Sequence, residues 1–324
     1  MAFLRSIVEM LGREPGRKPD DSLYTEDARV LHVAKRDIKG KKARTDAIRA
    51  ERDLERSRKW RNRRWASIIF VNALFFLSFY FDVQLIEGSL SASRVVGFHF
   101  ADLNASLQVT LAFKQILINL VIGTVTVLIL WWLLGGRTFC SWVCPYHLLS
   151  EFAEFLHLRL AKAKLVRDMA MHRGLRTVLY IVFALLALIT GYTVFEAISP
   201  VGILTRALIY GPGFALLWVV GLLAFEIFVT RRAWCRYMCP IGLTYGFVGI
   251  TSPVHIKYDL ENCLHEGDCR GVCLVPHALE VTKKGYARKA EVAIGPDCTR
   301  CGMCVDICPT KSLTFDVKGL NKLL

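Results

Sequence analysis

Eleven cysteines in a chain of 324 residues fall into four tight groups, and any fold the chain adopts must let those groups converge on partners. Cys298, Cys301, Cys304 and Cys308 stand in C-T-R-C-G-M-C-V-D-I-C-P, and Cys263, Cys269 and Cys273 in C-L-H-E-G-D-C-R-G-V-C-L-V-P. Cys140 and Cys144 belong to R-T-F-C-S-W-V-C-P, Cys235 and Cys239 to R-A-W-C-R-Y-M-C-P. An odd number of thiols cannot all be paired within one chain, and disulfide-knit secreted scaffolds are far shorter. The spacing points instead to thiolates acting as metal ligands.

The last group is the C-x2-C-x2-C-x3-C-P run of bacterial ferredoxins, in which three thiolates hold one [4Fe-4S] cluster and the fourth reaches its neighbour. Iron-sulfur clusters take soft, anionic donors, which is why the run consists of thiolates. A zinc site would need only two C-x2-C pairs and no terminal C-P. Read backward from Cys273, the same spacing accounts for Cys269 and Cys263, but Glu266 fills the slot between them. Pairing across the two halves predicts a complete set, Cys298, Cys301, Cys304 and Cys273, and an incomplete one, Cys263, Cys269 and Cys308. The incomplete set suits either a [3Fe-4S] cluster or a [4Fe-4S] cluster with Glu266 or His265 as fourth ligand.

The other four cysteines form a repeat. Each copy has an Arg three residues before its first Cys (Arg137, Arg232), an aromatic just before it (Phe139, Trp234), and C-x3-C-P. An i,i+4 pair stacks on one side of a helical turn, so Cys140, Cys144, Cys235 and Cys239 can converge on a further redox centre. Redox-active dithiols and a transient copper or haem site compete with a third iron-sulfur cluster for that quartet.

Four long windows contain no charge: Trp65 to Phe81, Gln115 to Gly136, Thr177 to Phe195 and Ala207 to Phe225. Apolar residues continue past Asp82 through Val83, Leu85 and Ile86, so the first has no sharp end. Each window approaches the roughly 20 residues that cross about 30 Å of hydrocarbon. Hydrophobic residues make up 53% of the chain although its formal net charge is +14, so oily and basic residues must be segregated. The expected fold is an α-helical integral membrane protein of four transmembrane helices with a C-terminal α+β two-cluster ferredoxin-like domain. Its parts are a polar basic arm (1–60), a membrane domain with both C-x3-C-P motifs (61–250) and the iron-sulfur domain (251–324). Of 42 Lys and Arg, only Arg94, Lys114 and Arg206 fall in the first and third connections between windows, which by the positive-inside rule puts both termini and the iron-sulfur domain on the cytoplasmic side of a bacterial inner membrane. Lys59, Arg61, Arg63 and Arg64 are expected at anionic headgroups, so the net charge needs no nucleic acid. The start, with Phe3, Leu4, Ile7, Val8 and Leu11, is amphipathic, and Ala34 to Arg64 reads as a solvated charged helix or a disordered arm. No signal peptide is visible.

With its two C-x3-C-P motifs and its ferredoxin pair, the chain resembles the NapH/MauN family of membrane-bound ferredoxin-type proteins over about residues 60 to 316. The resemblance rests on F-C-S-W-V-C-P and W-C-R-Y-M-C-P. It implies electron transfer out of the quinol pool through iron-sulfur centres, in company with a partner iron-sulfur protein and a downstream reductase or dehydrogenase. Two departures stand out: Glu266 in place of a ligand cysteine, and the long polar N-terminus. Relatives of the FixG/CcoG type share these motifs and imply metal (copper) reduction or oxidase assembly instead, usually with a further domain after the ferredoxin module. A third reading is a non-catalytic membrane anchor for a soluble ferredoxin.

Quinol oxidation also needs proton acceptors, and Glu196 and Glu226 are candidates because carboxylates within apolar windows are costly. His147, two residues beyond Pro145, could donate a hydrogen bond to a cluster. Neither a haem attachment motif, a nucleotide phosphate loop nor a dinucleotide fingerprint occurs, which argues against direct use of NAD(P)H or ATP.

Overall fold

A computed structural model describes residues 2–13, 18–36, 45–46, 48, 57–81, 86–95 and 97–318. Residues 37–44 and 49–56 of the predicted charged arm lie outside the described residues, as do Asp82, Val83 and Leu85 at the edge of the first apolar window.

Among the described residues the chain opens with α1 (Ala2–Met10), α2 (Glu26–Arg36) and α3 (Lys59–Tyr80), and residues 45, 46 and 48 are also helical. An antiparallel sheet of β1 (Ile86–Ser89), β2 (Ala92–Val95) and β3 (Phe98–Ala101) follows, with Arg94 opposite His99. Next come α4 (Leu103–Phe113), α5 (Ile118–Leu134), α6 (Thr138–Trp142), α7 (Pro145–Lys162), α8 (Leu175–Thr190), α9 (Val194–Ile198), α10 (Pro200–Tyr210) and α11 (Ala215–Phe228). A π-helical turn (Trp234–Met238) leads into α12 (Pro240–Thr251). The C-terminal unit is an antiparallel sheet, β4 (Val254–Asp259), β5 (Glu291–Ala293) and β6 (Leu313–Val317) in the order β5-β4-β6, with two short helices, α13 (Asp268–Val272) and α14 (Met303–Ile307).

Four membrane-crossing helices are not what these windows form: among the described residues no helix is long and apolar enough to cross a membrane. The windows are helical, but the last three are cut short. Gly135, left-handed at φ 118°, stops α5 after 17 residues, and Gly191 stops α8 after 16. At about 1.5 Å per residue both fall short of a 30 Å core. Gly211, Pro212 and Gly213 divide the fourth window between α10 and α11, as expected of a left-handed cap followed by proline. The first window continues α3, whose opening turns carry Lys59, Arg61, Arg63 and Arg64. Ile86, expected to prolong that window, begins a strand. Arg64 is not at a surface of headgroups: it is fully buried, donating to the Glu151 carboxylate and, at 2.6 Å, to His147 Nε2.

The chain between β3 and β4 repeats one plan. A short helix, a longer helix, a cysteine turn and a further helix recur as α4-α5-α6-α7 and as α10-α11-π turn-α12. In both copies the second cysteine is the N-cap and the following proline the first helical residue, where proline's missing N–H costs nothing. The two cysteine turns meet in one buried cluster with Trp131, Phe139, Phe195 and Tyr245.

The N-terminal helices clasp the C-terminal unit. Ala28 of α2 lies in that unit's core, His32 Nε2 donates to the Ala287 carbonyl at 2.9 Å, and Lys35 Nζ donates to the Cys263 carbonyl at 2.6 Å. Asp306 caps α3 from across the fold, accepting from the amides of Trp60 (2.9 Å) and Arg61 (3.1 Å). Such a cap satisfies amides that the helix itself leaves unpaired.

Where α5 ends, Gly136 is left-handed (φ 74°), and a Cβ there would stand 2.5 Å from the Gly249 Cα and the Tyr245 carbonyl. Gly136→Ala is expected to cost roughly 1–3 kcal/mol from backbone strain alone, with steric overlap adding to it. Gly213→Ala, whose Cβ would meet no described residue within 4 Å, is the control that should leave the denaturation midpoint unmoved.

Candidate metal centres

The repeat brings Cys140, Cys144, Cys235 and Cys239 to one cavity, whose other walls include Arg137, His147, Arg232, Trp234 and Thr299. Cys140 rides on α6 and Cys235 on the π-helical turn, while Cys144 and Cys239 sit at the starts of α7 and α12. Those helix starts aim the positive ends of their dipoles at the cavity. Burial pushes the Cys239 thiol up to about 12, and Cys144 also rises because of burial, so without a cation the quartet holds its protons. A bound metal would displace them.

The donors around the quartet test what it can hold. Arg232 is 1% exposed; its Nε donates to Glu154, but Nη1, Nη2 and the neighbouring Trp234 Nε1 are buried without a hydrogen-bond partner among the described residues. Buried donors are rarely left so, and here they flank four thiols. That set fits an anionic, sulfur-rich group better than a neutral one. Among the described residues no group of three or more His, Cys, Asp or Glu side chains is arranged around a single metal ion. A cubane makes a different demand, since each thiolate binds its own iron corner and the four stand apart.

Two further groups lie in the C-terminal unit. Cys273 lies within electrostatic reach of Cys298 and Cys301, and Cys304 within reach of these three and of Cys269; burial first, then these mutual charges, push the Cys273 and Cys304 thiols up. Cys263, Cys269 and Cys308 share a second cavity with His265 and Glu266. Cys273 thus lies near Cys298 and Cys301, and Cys308 lies with Cys263 and Cys269.

The quartet and the Cys298 loop touch directly. Ser141 Oγ donates to the Thr299 carbonyl at 2.7 Å, Trp142 Nε1 to the Arg300 carbonyl at 3.2 Å, and Arg236 Nε to the Leu274 carbonyl at 3.1 Å. Leu274, Val275 and Thr299, next to Cys273 and Cys298, line the quartet's cavity.

Asp297, one residue before Cys298, joins the parts. Its carboxylate accepts from Arg137, from Arg173 at 3.2 Å, from Arg176 at 3.0 Å and from His277. Burial alone would raise its carboxyl, but Arg137, Arg176 and His277 hold it well below the usual carboxylate range. The same arginines seize the end of α1: Arg173 donates to the carbonyls of Glu9 (3.0 Å) and Arg13 (2.9 Å), and Arg176 to that of Met10 (3.2 Å). Sequence reasoning noted Arg137 as part of the repeat but missed Asp297, whose only local signal was its place before a ligand cysteine.

The remaining candidates divide. Glu226 is fully buried beside the quartet, accepting from Ser150 Oγ at 2.6 Å and from the Trp234 amide at 3.1 Å, and burial raises its carboxyl. Glu196 accepts from Ser91 Oγ at 2.8 Å and does not line the cysteine cavity. His147 lines it, but burial, then Arg232 and Arg64, hold its imidazole well below the usual value, and the neutral ring accepts from Arg64 at Nε2. Its proton is therefore on Nδ1. The sequence also passed over Asp102, buried at the start of α4 with Tyr245 Oη donating to it at 2.7 Å.

A family model for a 4Fe-4S binding domain matches residues 117–163 and 212–253, which contain the quartet, and a second 4Fe-4S model matches residues 296–314. The chain is 30% identical over 273 residues to the ferredoxin-type protein NapH of Escherichia coli, covering 82% of this chain and 93% of the relative. It is 28% identical over 279 residues to the methylamine utilization ferredoxin-type protein MauN of Methylorubrum extorquens (86% and 95%), and 32% identical over 205 residues to MauN of Paracoccus denitrificans (62% and 71%). No solved structure matches.

Asp297→Asn removes the charge that balances three arginines and should cost about 3 kcal/mol or more, read as a lower denaturation midpoint at neutral pH. Because the folded carboxyl lies below its unfolded value of about 3.9, its contribution is present above that pH and fades as pH falls through the folded value. The variant should therefore lose part of the wild-type's acid sensitivity below about pH 4.

Proposed function

The chain belongs to the NapH/MauN family of ferredoxin-type proteins and is an iron-sulfur electron-transfer protein, and we propose that it takes electrons from a lipophilic quinol and passes them to a partner iron-sulfur protein that serves a downstream reductase or dehydrogenase. One observation carries this reading: the quartet of Cys140, Cys144, Cys235 and Cys239 shares a wall with the loops of Cys273 and Cys298. When bound, iron-sulfur clusters supply one-electron carriers. The residues then set an order, with the quartet first, Cys273, Cys298, Cys301 and Cys304 next, and Cys263, Cys269 and Cys308 at the far end.

The quartet's environment suits the first station. Arg137, Arg232 and the starts of α7 and α12 offset added negative charge. Glu226, buried behind the Cys235 turn and not itself lining the cysteine cavity, is our candidate proton acceptor, because burial raises its carboxyl and favours uptake. Exposed apolar side chains along α5, α8 and α11, among them Ile122, Ile181, Leu185 and Leu217, offer a lipid surface from which a quinol could reach the quartet by contact rather than crossing.

Anaerobically purified protein treated with a quinol analogue should show reduced-cluster EPR signals. Clusters that stay oxidised under strong quinol excess with the partner present would overturn the reading. Replacing all four quartet cysteines by Ser should remove about four irons per chain and abolish quinol reduction while the ferredoxin signals remain. Unchanged iron content would show the quartet to be empty.

A further inference from the structure

We propose that Glu266 is itself a cluster ligand: its carboxylate takes the fourth corner of the iron-sulfur cluster held by Cys263, Cys269 and Cys308, in the position a cysteine fills in the sister site. The proposal rests on the reading that the C-terminal unit holds two clusters.

The two ligand loops have the same backbone. In the complete loop, Cys298 is followed by Thr299, left-handed Arg300 (φ 49°), Cys301, left-handed Gly302 (φ 76°) and the helix α14 bearing Cys304. In the other, Cys263 is followed by Leu264, left-handed His265 (φ 55°), Glu266, left-handed Gly267 (φ 97°) and the helix α13 bearing Cys269. Gly302 and Gly267 are the N-caps of their five-residue helices, and Cys308 and Cys273 the C-caps. The first thiol is gripped identically: Cys298 Sγ accepts from the Arg300 amide at 3.4 Å, and Cys263 Sγ from the His265 amide at 3.4 Å. Position by position, Glu266 stands where Cys301 stands.

That match separates the two candidate ligands. His265 occupies the place of Arg300, whose guanidinium is engaged by the carbonyls of Cys298, Val254 and Gly249 rather than by a thiol. Its own Nδ1 donates to the Thr282 carbonyl at 2.9 Å. Glu266 lines the cavity with the three thiols. A non-glycine residue held left-handed is costly, and His265 keeps that conformation although no cysteine follows it, so the loop retains the shape that presents a ligand at position 266.

Carboxylate oxygen is a harder donor than thiolate and suits a sulfide-bound iron less well. The iron at the Glu266 corner is thus the one most easily withdrawn. Its departure as Fe2+ converts [4Fe-4S]2+ into [3Fe-4S]0 with no net electron transfer. Added ferricyanide then takes one electron to give EPR-active [3Fe-4S]+.

The test uses the full chain, purified anaerobically, with iron per chain and EPR measured before and after a ferrous chelator followed by ferricyanide. Wild type should show the three-iron signal only after the chelator. Glu266→Gln should show it with ferricyanide alone, without the chelator, and with about one iron fewer per chain, and Glu266→Cys should keep its iron and resist the chelator. If Gln costs the site all its iron, recovery in the Cys variant still supports ligation at this position, and failure to recover overturns it. A Gln variant indistinguishable from wild type in iron content and chelator response also overturns the proposal. Cys263→Ser tells that failure from another: if it too leaves the iron unchanged, the two-cluster reading falls.

Discussion

The rest of the structure depends on the burial of one carboxylate among four cationic or hydrogen-bonding groups. Asp297 is 5% exposed, and a lone buried charge of that kind would cost several kcal/mol. Its compensation comes from parts of the chain far apart in sequence: Arg137 at the first cysteine turn, Arg173 and Arg176 at the start of α8, and His277 in the C-terminal unit. Those arginines also hold the carbonyls that end α1. Consequently the amino terminus, the helical repeat and the ferredoxin-like unit cannot separate without exposing or unpairing charge. The contact between the quartet and the Cys298 loop inherits its rigidity from this knot.

A second set of buried pairs uses the same device. Arg232, the counterpart of Arg137 in the repeat, donates to Glu154 on α7, and Arg64 at the head of α3 joins Glu151 and His147 on the same helix. Part of the basic excess is therefore structural, spent inside the molecule rather than on a surface. Arg232 differs from Arg137 in one respect that matters for the site: two of its nitrogens have no partner among the described residues. An anionic group held by the thiols would satisfy them.

What could be read from the sequence was what depends on short spacing. Cysteines two or three residues apart must share a loop, so the four groups were legible. The helical windows were legible as helices and misleading as membrane crossings. Counting uncharged residues ignores where a helix stops, and Gly135, Gly191 and the Gly211-Pro212-Gly213 break decide that here. Asp297 was invisible for another reason: nothing near it in sequence announces three arginines arriving from other elements. Glu226 was singled out as a costly carboxylate, but its position behind the Cys235 turn comes from packing between α7 and α11.

Comparison of the two halves of each repeat turns an absence in the sequence into a positive statement about the fold. A cysteine missing at position 266 could have meant a relaxed loop with no role for the residue that replaced it. Instead the loop keeps two left-handed residues and the amide contact to its first thiol, all features of the intact copy. Backbone strain of this sort persists only where surrounding structure enforces it. On one side that structure is the Lys35 clasp on the Cys263 carbonyl; on the other it is the short helix α13 leading to Cys273, whose neighbour Leu274 is tied to Arg236 of the quartet turn. The shape of the most distant thiol site is thus held by contacts that run back to the quartet itself, so the three candidate stations form one mechanical body.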